Sequence, residues 1–573
     1  MKFLPRLRLS CAIALLAGFF SPPTARAQVM AGPNKITKTV GGVVFDSAYD
    51  NGSLLNVTSG GMNFFNATLY SDTGEKGTSK YWFRFRLAGV AGRTVTINLD
   101  HAENPRPALR IGTGPWRRMT LAEAPTNGSM VLTFTAAQNM AEVAFFEPLG
   151  YAEINAAVDQ RLAKSGFASE NLIGESLERR GLRMITVDDP YFPRAGKRRV
   201  WLHSRVHAGE VTASHSMLGF LDQVLANTAT GRRLREHCIF TLVPQVNADG
   251  IARGQTRWDA QGIDLESEWC FSRPPAAAVP EVAALKTRVD AFMAGPNPIS
   301  VALNLHSTRG NYADSFFFKH LAPSVSPTFV TIQQNYIDAV NTASPFFNNA
   351  SPQTSQLNPC TFIESYFWNN WGESVMALTH EGHYHRRQTD NEWITGADYR
   401  EIGAALASGL QTYYSLPPTS EPDLTYPLWL AQHFLSSELS ISALTGENAD
   451  PDYDGISNLV EYALGRRPRL ADVGNAVLAL MQTPGTPGQL QISAARSSYP
   501  TDLEVFFESS ANLASWTRVP GPPNEPPTAD RTVTATSGRR AGDGHAVEFL
   551  TLHTPLPAGV TAEFYRLKVR RLP

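Results

Sequence analysis

Residues 200–225 read VWLHSRVHAGEVTASHSMLGFLDQVL, and no other stretch constrains the fold of this chain as tightly. An apolar run ends at Val206, His207 and Glu210 follow at once, and Ala213, Met217, Phe220, Leu221 and Leu225 recur at helical spacing. The pattern is strand, turn, helix. Open α/β sheets place ligands at the carboxyl ends of their parallel strands, so an imidazole and a carboxylate in that turn can converge on one cation. The pair alone is a weak signal, because a surface histidine beside a helix-start glutamate favoured by the helix dipole reads the same way.

The 573 residues, 43% of them hydrophobic, suffice for about three to four domains with sizeable cores. A formal charge of -2 with no long single-sign run argues against nucleic acid or an anionic membrane as partner. Lys2, Arg6 and Arg8 precede an apolar core of about ten residues, and Ala25-Arg26-Ala27 has the small-x-small cleavage pattern. Residues 1–27 are therefore read as a signal peptide cleaved near Ala27, and the expected location is secreted, periplasmic or extracellular. No later stretch reaches the about 18 apolar residues of a membrane-spanning helix. Cys11 leaves with the signal, and Cys238, Cys270 and Cys360 remain, enough for one internal disulfide whose pairing stays open.

The expected fold is multidomain. Over residues 28–149, short alternating runs such as YWFRFRL (81–87), TVTINL (94–99) and MVLTFT (130–135) stand between Gly, Asn and Pro clusters, the pattern of an N-terminal β-sandwich. It offers no catalytic constellation, so its task is to pack against or shape the next domain. Over residues 150–418, FTLVPQVN (240–247), ISVALNLHS (299–307) and ESVMALTHE (373–381) read as buried parallel strands, and EVAALKTRVDAFM (281–293) as an amphipathic helix. This is the pattern of a central α/β domain. Polar residues gather at the strand ends, in Asn247-Ala248-Asp249-Gly250, His306-Ser307 and His380-Glu381-Gly382-His383.

A Pro-rich linker opens residues 419–470, where Asp450, Asp452, Asp454, Gly455, Asn458 and Glu461 occupy positions 1, 3, 5, 6, 9 and 12 of an EF-hand-like calcium loop. The competing reading is an acidic turn that caps the helix NLVEYALG without metal. Residues 471–573 carry LQISAARS, LEVFFESS, AVEFLTLH and FYRLKVRRL, the strands of a small C-terminal β domain.

A catalytic zinc takes three protein ligands from His and carboxylate and leaves one position open. His207 and Glu210 supply two, and His306, ending a buried strand, is the third candidate. Attack on an amide also needs a base, an oxyanion donor and a proton for the leaving amine. Glu381, ending another strand, is the candidate base, and Arg257 the candidate donor.

In order along the chain stand HAGE, NADG, an arginine ten residues after its asparagine, GIDLxxxW, PEVxAL, LH-Ser and a strand ending in Glu. This order resembles the zinc metallocarboxypeptidases of the carboxypeptidase A superfamily. SRVHAGEVTAS resembles the cytosolic-carboxypeptidase-like branch, whose members carry a β-sandwich ahead of the catalytic domain. The resemblance spans roughly residues 81–413. It implies His207, Glu210 and His306 as zinc ligands, Arg257 as the carbonyl-polarising arginine and Glu381 as the general base. The tail is similar to C-terminal modules of secreted bacterial proteins.

One departure bears on specificity. Where the family reads GVDLNRNW, its Asn and Arg clamping the substrate's terminal carboxylate, this chain reads GIDLESEW, with Glu266, Ser267 and Glu268. Two carboxylates there repel a free C-terminus. Either Arg253 or Arg309 replaces the clamp, or the far end of the substrate is neutral or cationic. For the family's pocket tyrosine, Tyr366 and Tyr384 are candidates, and either can equally be a core aromatic. His380, His383 and His385 around Glu381 line the pocket, sit on the strand's exposed side, or form a rival or second metal site.

The function expected is a secreted zinc metallocarboxypeptidase-like hydrolase cleaving a peptide or cell-wall peptide by zinc-activated water, with one zinc and one structural calcium. The alternatives are an inactive family member serving as a binding or adhesion module, and an amidase that needs no free C-terminal carboxylate.

Overall fold

The alternation in TVTINL folds as the strand Thr94–Leu99, with Val95, Ile97 and Leu99 buried on one face. It pairs antiparallel with Met130–Thr135 and parallel with Phe64–Thr68 in a four-stranded sheet completed by Asn56–Gly61. A six-stranded sheet built on Arg84–Ala88 and Met140–Ala144 faces it, and Phe45 of one sheet meets Phe65 of the other with ring centroids 4.9 Å apart. The computed structural model describes residues 34–572 except 102–105, 126–129, 163–164, 166, 190–191, 227, 271–278, 310–313, 345, 348–352, 355–361, 388–389, 418–423, 435–437, 472–477, 483–488, 501, 520–531, 540–545 and 556–563. The expected signal sequence and Cys360 lie outside the described residues. Cys238 is buried as a free thiol and Cys270 is disulfide-bonded.

The central domain is built on an eight-stranded sheet in the order Ala168–Glu175, Gly181–Val187, Cys238–Val243, Arg198–Ser204, Ile299–Ser307, Met376–Gly382, Phe316–Lys319, Gln353–Thr354. The middle four strands run parallel and are buried almost throughout. The sheet as a whole is mixed, because Ala168–Glu175 and Gly181–Val187 pair antiparallel with their neighbours and Phe316–Lys319 pairs antiparallel with Met376–Gly382. The run from Phe240 stops being a strand at Val243, before Pro244, which cannot donate to the ladder. Asn247 then caps the helix Ala248–Arg253, its side chain accepting from the Gly250 N–H at 2.9 Å.

The helix Val211–Leu225 covers one face of the sheet and packs on Gly396–Tyr413. Their close approach depends on glycine: a Cβ on Gly219 would lie 2.0 Å from the Arg400 carbonyl oxygen, and one on Gly403 1.9 Å from that of Ser216. On the other face, Leu285 and Val289 of the helix Pro280–Met293 join Trp201 and Trp269 in a second core. No helix among the described residues is long and apolar enough to cross a membrane.

Beyond the linker, the helix Asn458–Leu464 buries Tyr462 against Tyr426, Trp429 and Tyr499, and the Tyr462 hydroxyl donates to the Leu424 carbonyl at 2.6 Å. The C-terminal region holds a four-stranded sheet and a three-stranded sheet centred on Leu503–Ser510.

Candidate active site

Between the strand Arg198–Ser204 and the helix that starts at Val211, Arg205 adopts a left-handed φ of 59°. Its buried guanidinium holds that turn by donating to the carbonyls of Leu149 and Ala208, each at 3.1 Å, and to Ser214 Oγ at 2.9 Å. The turn is tied to the segment that carries Arg257: the Gly209 N–H donates to the Thr256 carbonyl at 2.7 Å. The amide of Asn247, from NADG, donates to the carbonyls of Val206 at 3.2 Å and Trp258 at 2.9 Å. From the sandwich, the buried Asp72 accepts the backbone N–H of Arg257 at 2.9 Å and of Trp258 at 3.3 Å.

These ties bring His207 and Glu210 to His306, and one possible ligand atom from each of the three buried residues lies within 4.8 Å of the others. His207 Nδ1 is 2.7 Å from Glu210 Oε1, and His306 Nδ1 is 2.8 Å from Glu210 Oε2. The second nitrogen of each ring meets a carboxylate: His207 Nε2 is 3.1 Å from Asp264 Oδ1, and His306 Nε2 is 3.2 Å from Glu266 Oε2. Such outer carboxylates fix ring orientation and raise ligand basicity. Two histidines and a glutamate beside an open cavity are a donor set that fits a catalytic zinc.

The cavity is about 450 Å³ and is lined by Arg257, Glu381, Tyr81, Arg309, Glu266 and Glu364 among others. Glu381 is the register partner of His306 on the adjacent parallel strand, and its Oε2 is buried with no hydrogen-bond partner among the described residues. Burial, then the charge of Glu210, pushes its carboxyl well above the usual range, against the pull of His306. Arg257 Nη2 donates to Asp264 Oδ2 at 2.9 Å. Burial would raise the Asp264 carboxyl, but its bond with His207 and the charges of His207, Arg257 and Lys76 hold it well below the usual range.

The remaining expected residues are placed as follows. Ser267 does not line the cavity; its hydroxyl accepts from Lys76 of the sandwich. Glu268 is buried outside the lining. Arg309 lines the cavity, its guanidinium 5.2 Å from the Tyr81 ring, whereas Arg253 pairs with Glu178 at 2.8 Å. Tyr366 is not in the lining and donates to Asp290 at 2.7 Å; Tyr384 is buried against Phe145 and Phe146. Among the described residues, the tyrosine that lines the cavity is Tyr81, from the sandwich. His380 and His383 are buried, and burial lowers both to about 3; neither they nor His385 join a metal-sized group among the described residues. In the tail, possible ligand atoms of Asp450, Asp452 and Asp454 lie within 4.8 Å of one another. Glu461 is not in that group, and the Asn458 amide donates to the carbonyls of Leu444 at 2.8 Å and Gly446 at 3.0 Å.

Asp264, Glu364, Lys76 and Tyr81 had no assigned role in the sequence. Asp264 was within reach, inside GIDLESEW; the other three carry no motif.

The zinc carboxypeptidase family model matches residues 154–362, and the cytosolic carboxypeptidase N-terminal domain model matches residues 45–146. The crystal structure of a metallo-carboxypeptidase from Burkholderia cenocepacia is similar over 65% of this chain and 99% of its own, with a TM-score of 0.57 and 21% identity. A metallo-carboxypeptidase from Pseudomonas aeruginosa, solved in complex with (2-guanidinoethylmercapto)succinic acid, covers the same shares with a TM-score of 0.56 and 18% identity. Residues 154–362 thus form a metallocarboxypeptidase-family hydrolase domain. Residues 45–146 match the N-terminal domain that the cytosolic carboxypeptidases carry. Mouse cytosolic carboxypeptidase 6 is 24% identical over 257 residues, 41% of this chain and 47% of the mouse protein. The chain spans between about half and two thirds of the length of the first curated relatives it matches.

Proposed function

We propose that this protein is an exported zinc-dependent hydrolase of amide bonds in peptides or cell-wall peptides. The observation that carries this reading is the pairing of His306 and Glu381 as register partners, which sets Glu381 in the cavity lining beside the His207, Glu210 and His306 donor set. A zinc ion held by these three residues supplies Lewis acidity toward a carbonyl and acidifies water. Glu381 takes the proton of the attacking water and passes it to the leaving nitrogen. Arg257, fixed by Asp264, donates to the oxyanion as the carbonyl carbon becomes tetrahedral. Asp264 and Glu266 hold the two imidazoles in place.

The lining supports a leaving group other than a plain C-terminal residue: Glu266 stands where the family's clamp begins, and Ser267 is engaged with Lys76. In the tail, Asp450, Asp452 and Asp454 would share one calcium and stiffen the junction before the last β region, relieving their mutual repulsion. The alternative, a binding module on an inactive fold, is favoured only by the missing clamp.

Glu381→Gln tests the catalytic reading. It should keep about one zinc per chain and lose turnover by a factor of about a thousand or more, since the base serves both proton transfers. Retained turnover removes Glu381 from the mechanism, and a wild-type chain that binds zinc but cleaves nothing in a broad amide library favours the binding module.

A further inference from the structure

We propose that Asn304 is a positioning residue of this site: its amide, kept one way round by Thr379, fixes the Glu266 carboxylate that in turn holds His306. The proposal rests on the zinc hydrolase reading above and adds to it a layer of residues below the donor set.

Asn304 and Thr379 are register partners on adjacent parallel strands, two residues before the register partners His306 and Glu381. Side chains two apart on a strand share a face, so the amide and the hydroxyl form the polar layer next to the reacting side chains. Asn304 is 1% exposed, in a strand from the middle of the sheet. Its Nδ2 lies 3.0 Å from Glu266 Oε1, 3.1 Å from Glu266 Oε2 and 3.3 Å from Thr379 Oγ1. One N–H of the amide thus straddles the carboxylate, and the other goes to the hydroxyl. Glu266 Oε2 then meets His306 Nε2 at 3.2 Å.

The orientation of the amide decides what Glu266 meets. Turned end for end, Asn304 would present Oδ1 to both carboxylate oxygens, acceptor against acceptors, and Glu266 would be pushed off the imidazole. Thr379 opposes that turn. Its hydroxyl donates its one proton to Glu364 Oε1, so only lone pairs are left toward Asn304, and these take an N–H and refuse a carbonyl. At its other end the amide gains nothing: Asn304 Oδ1 is buried with no hydrogen-bond partner among the described residues. An apolar side chain would fill the same place without that orphaned oxygen, so the amide costs the fold stability, and what it gains lies at Glu266.

The test uses the full chain, stripped of metal and reloaded with zinc or cobalt. Asn304→Asp keeps the shape of the side chain but replaces both N–H donors with an acceptor beside Glu266, so zinc affinity, read by competition with a chelator, should fall by about tenfold or more. Thr379→Val removes the hydroxyl alone and should lower it by about fivefold, the worth of one hydrogen bond. Asn304→Asp combined with Glu266→Gln exchanges amide and carboxylate and rebuilds the pair in reverse, so the double variant should bind zinc more tightly than the two single losses together predict. The visible spectrum of the cobalt-loaded protein, which follows the arrangement of the ligands, should shift in both single variants; a merely structural role would lower the melting temperature and leave spectrum and affinity unchanged. The proposal is overturned if Asn304→Asp matches the wild type in zinc affinity and cobalt spectrum, or if its effect and that of Glu266→Gln simply add. A wild type that takes up neither metal overturns the hydrolase reading and this proposal together, whereas one that binds zinc and cleaves nothing overturns the hydrolase reading alone. If Asn304→Asp does not fold, Thr379→Val decides, and unchanged zinc affinity there overturns the proposal.

Discussion

Lys76, between the two short strands of a sandwich hairpin, lies 3.1 Å from Asp264 Oδ2, and the other oxygen of Asp264 lies 3.1 Å from His207 Nε2. A cation from one domain thus braces the carboxylate that orients an imidazole of the candidate metal site in another. Asp264→Asn and Glu266→Gln should each weaken zinc binding by about 10- to 100-fold, the usual cost of losing an outer carboxylate. Lys76→Met should weaken it by less than about threefold, because the Lys76 side chain is 45% exposed and water screens its charge. Competition with a chelator measures all three. Unchanged zinc affinity in Glu266→Gln would reassign Glu266 to substrate alone.

Restoring the family's arginine at position 267 meets an obstacle that only the structure reveals. The Ser267 hydroxyl is bonded to Lys76, so Ser267→Arg places a guanidinium against an ammonium. The single change should destabilise the protein by about 1–3 kcal/mol, as an unpaired or repelled buried charge does. Adding Lys76→Ser should recover most of that loss, giving a favourable coupling in a double-mutant cycle measured by thermal unfolding. Additive effects would mean that the two side chains do not meet in solution.

Glu281, in the first turn of Pro280–Met293, supplies a pH signature away from the metal site. Burial, with the charges of Asp249 and Asp259, pushes its carboxyl up to about 8. A carboxyl whose affinity for protons is higher in the folded state contributes stability that is fully present below its unfolded value near 4.5 and is lost as pH rises through about 8. Glu281→Gln should therefore raise the melting temperature by a few degrees at pH 9 and change it little at pH 4. An equal effect at both pH values would show that Glu281 does not hold its proton.

For the tail, calcium added to chelated protein should raise the melting temperature and protect residues 424–449 from proteolysis, and Asp452→Asn with Asp454→Asn should remove both effects. If calcium changes neither in the wild type, the three aspartates do no more than cap the helix Asn458–Leu464.

His207, Glu210, His306 and Glu381 could be found in the sequence because each ends or directly follows an apolar run, and parallel strands bring their carboxyl ends to one edge. The register that sets His306 beside Glu381 is a product of that periodicity. The antiparallel flanks of the sheet were hidden, since a buried strand has the same composition in either direction. Lys76 is 188 residues from its partner and carries no local pattern. Glu364 sits in an aromatic-rich helix, IESYFWNNW, whose composition points to packing, and Tyr366 in the same helix does pack. Tyr366 and Tyr384 both pack as core aromatics, and Tyr81, which lines the cavity, comes from another domain.

Asp72 accepts the backbone N–H groups of Arg257 and Trp258, and Ser79 and Tyr81 form part of the cavity wall. The aperture through which substrate enters is therefore cut partly from each domain. A fragment beginning at residue 150 would lose a wall of its binding site along with its partner, and a chimera would need its hairpin and Arg257 segment taken from the same parent. A staple across the joint, far from any reacting atom, would act as a control on which substrates pass.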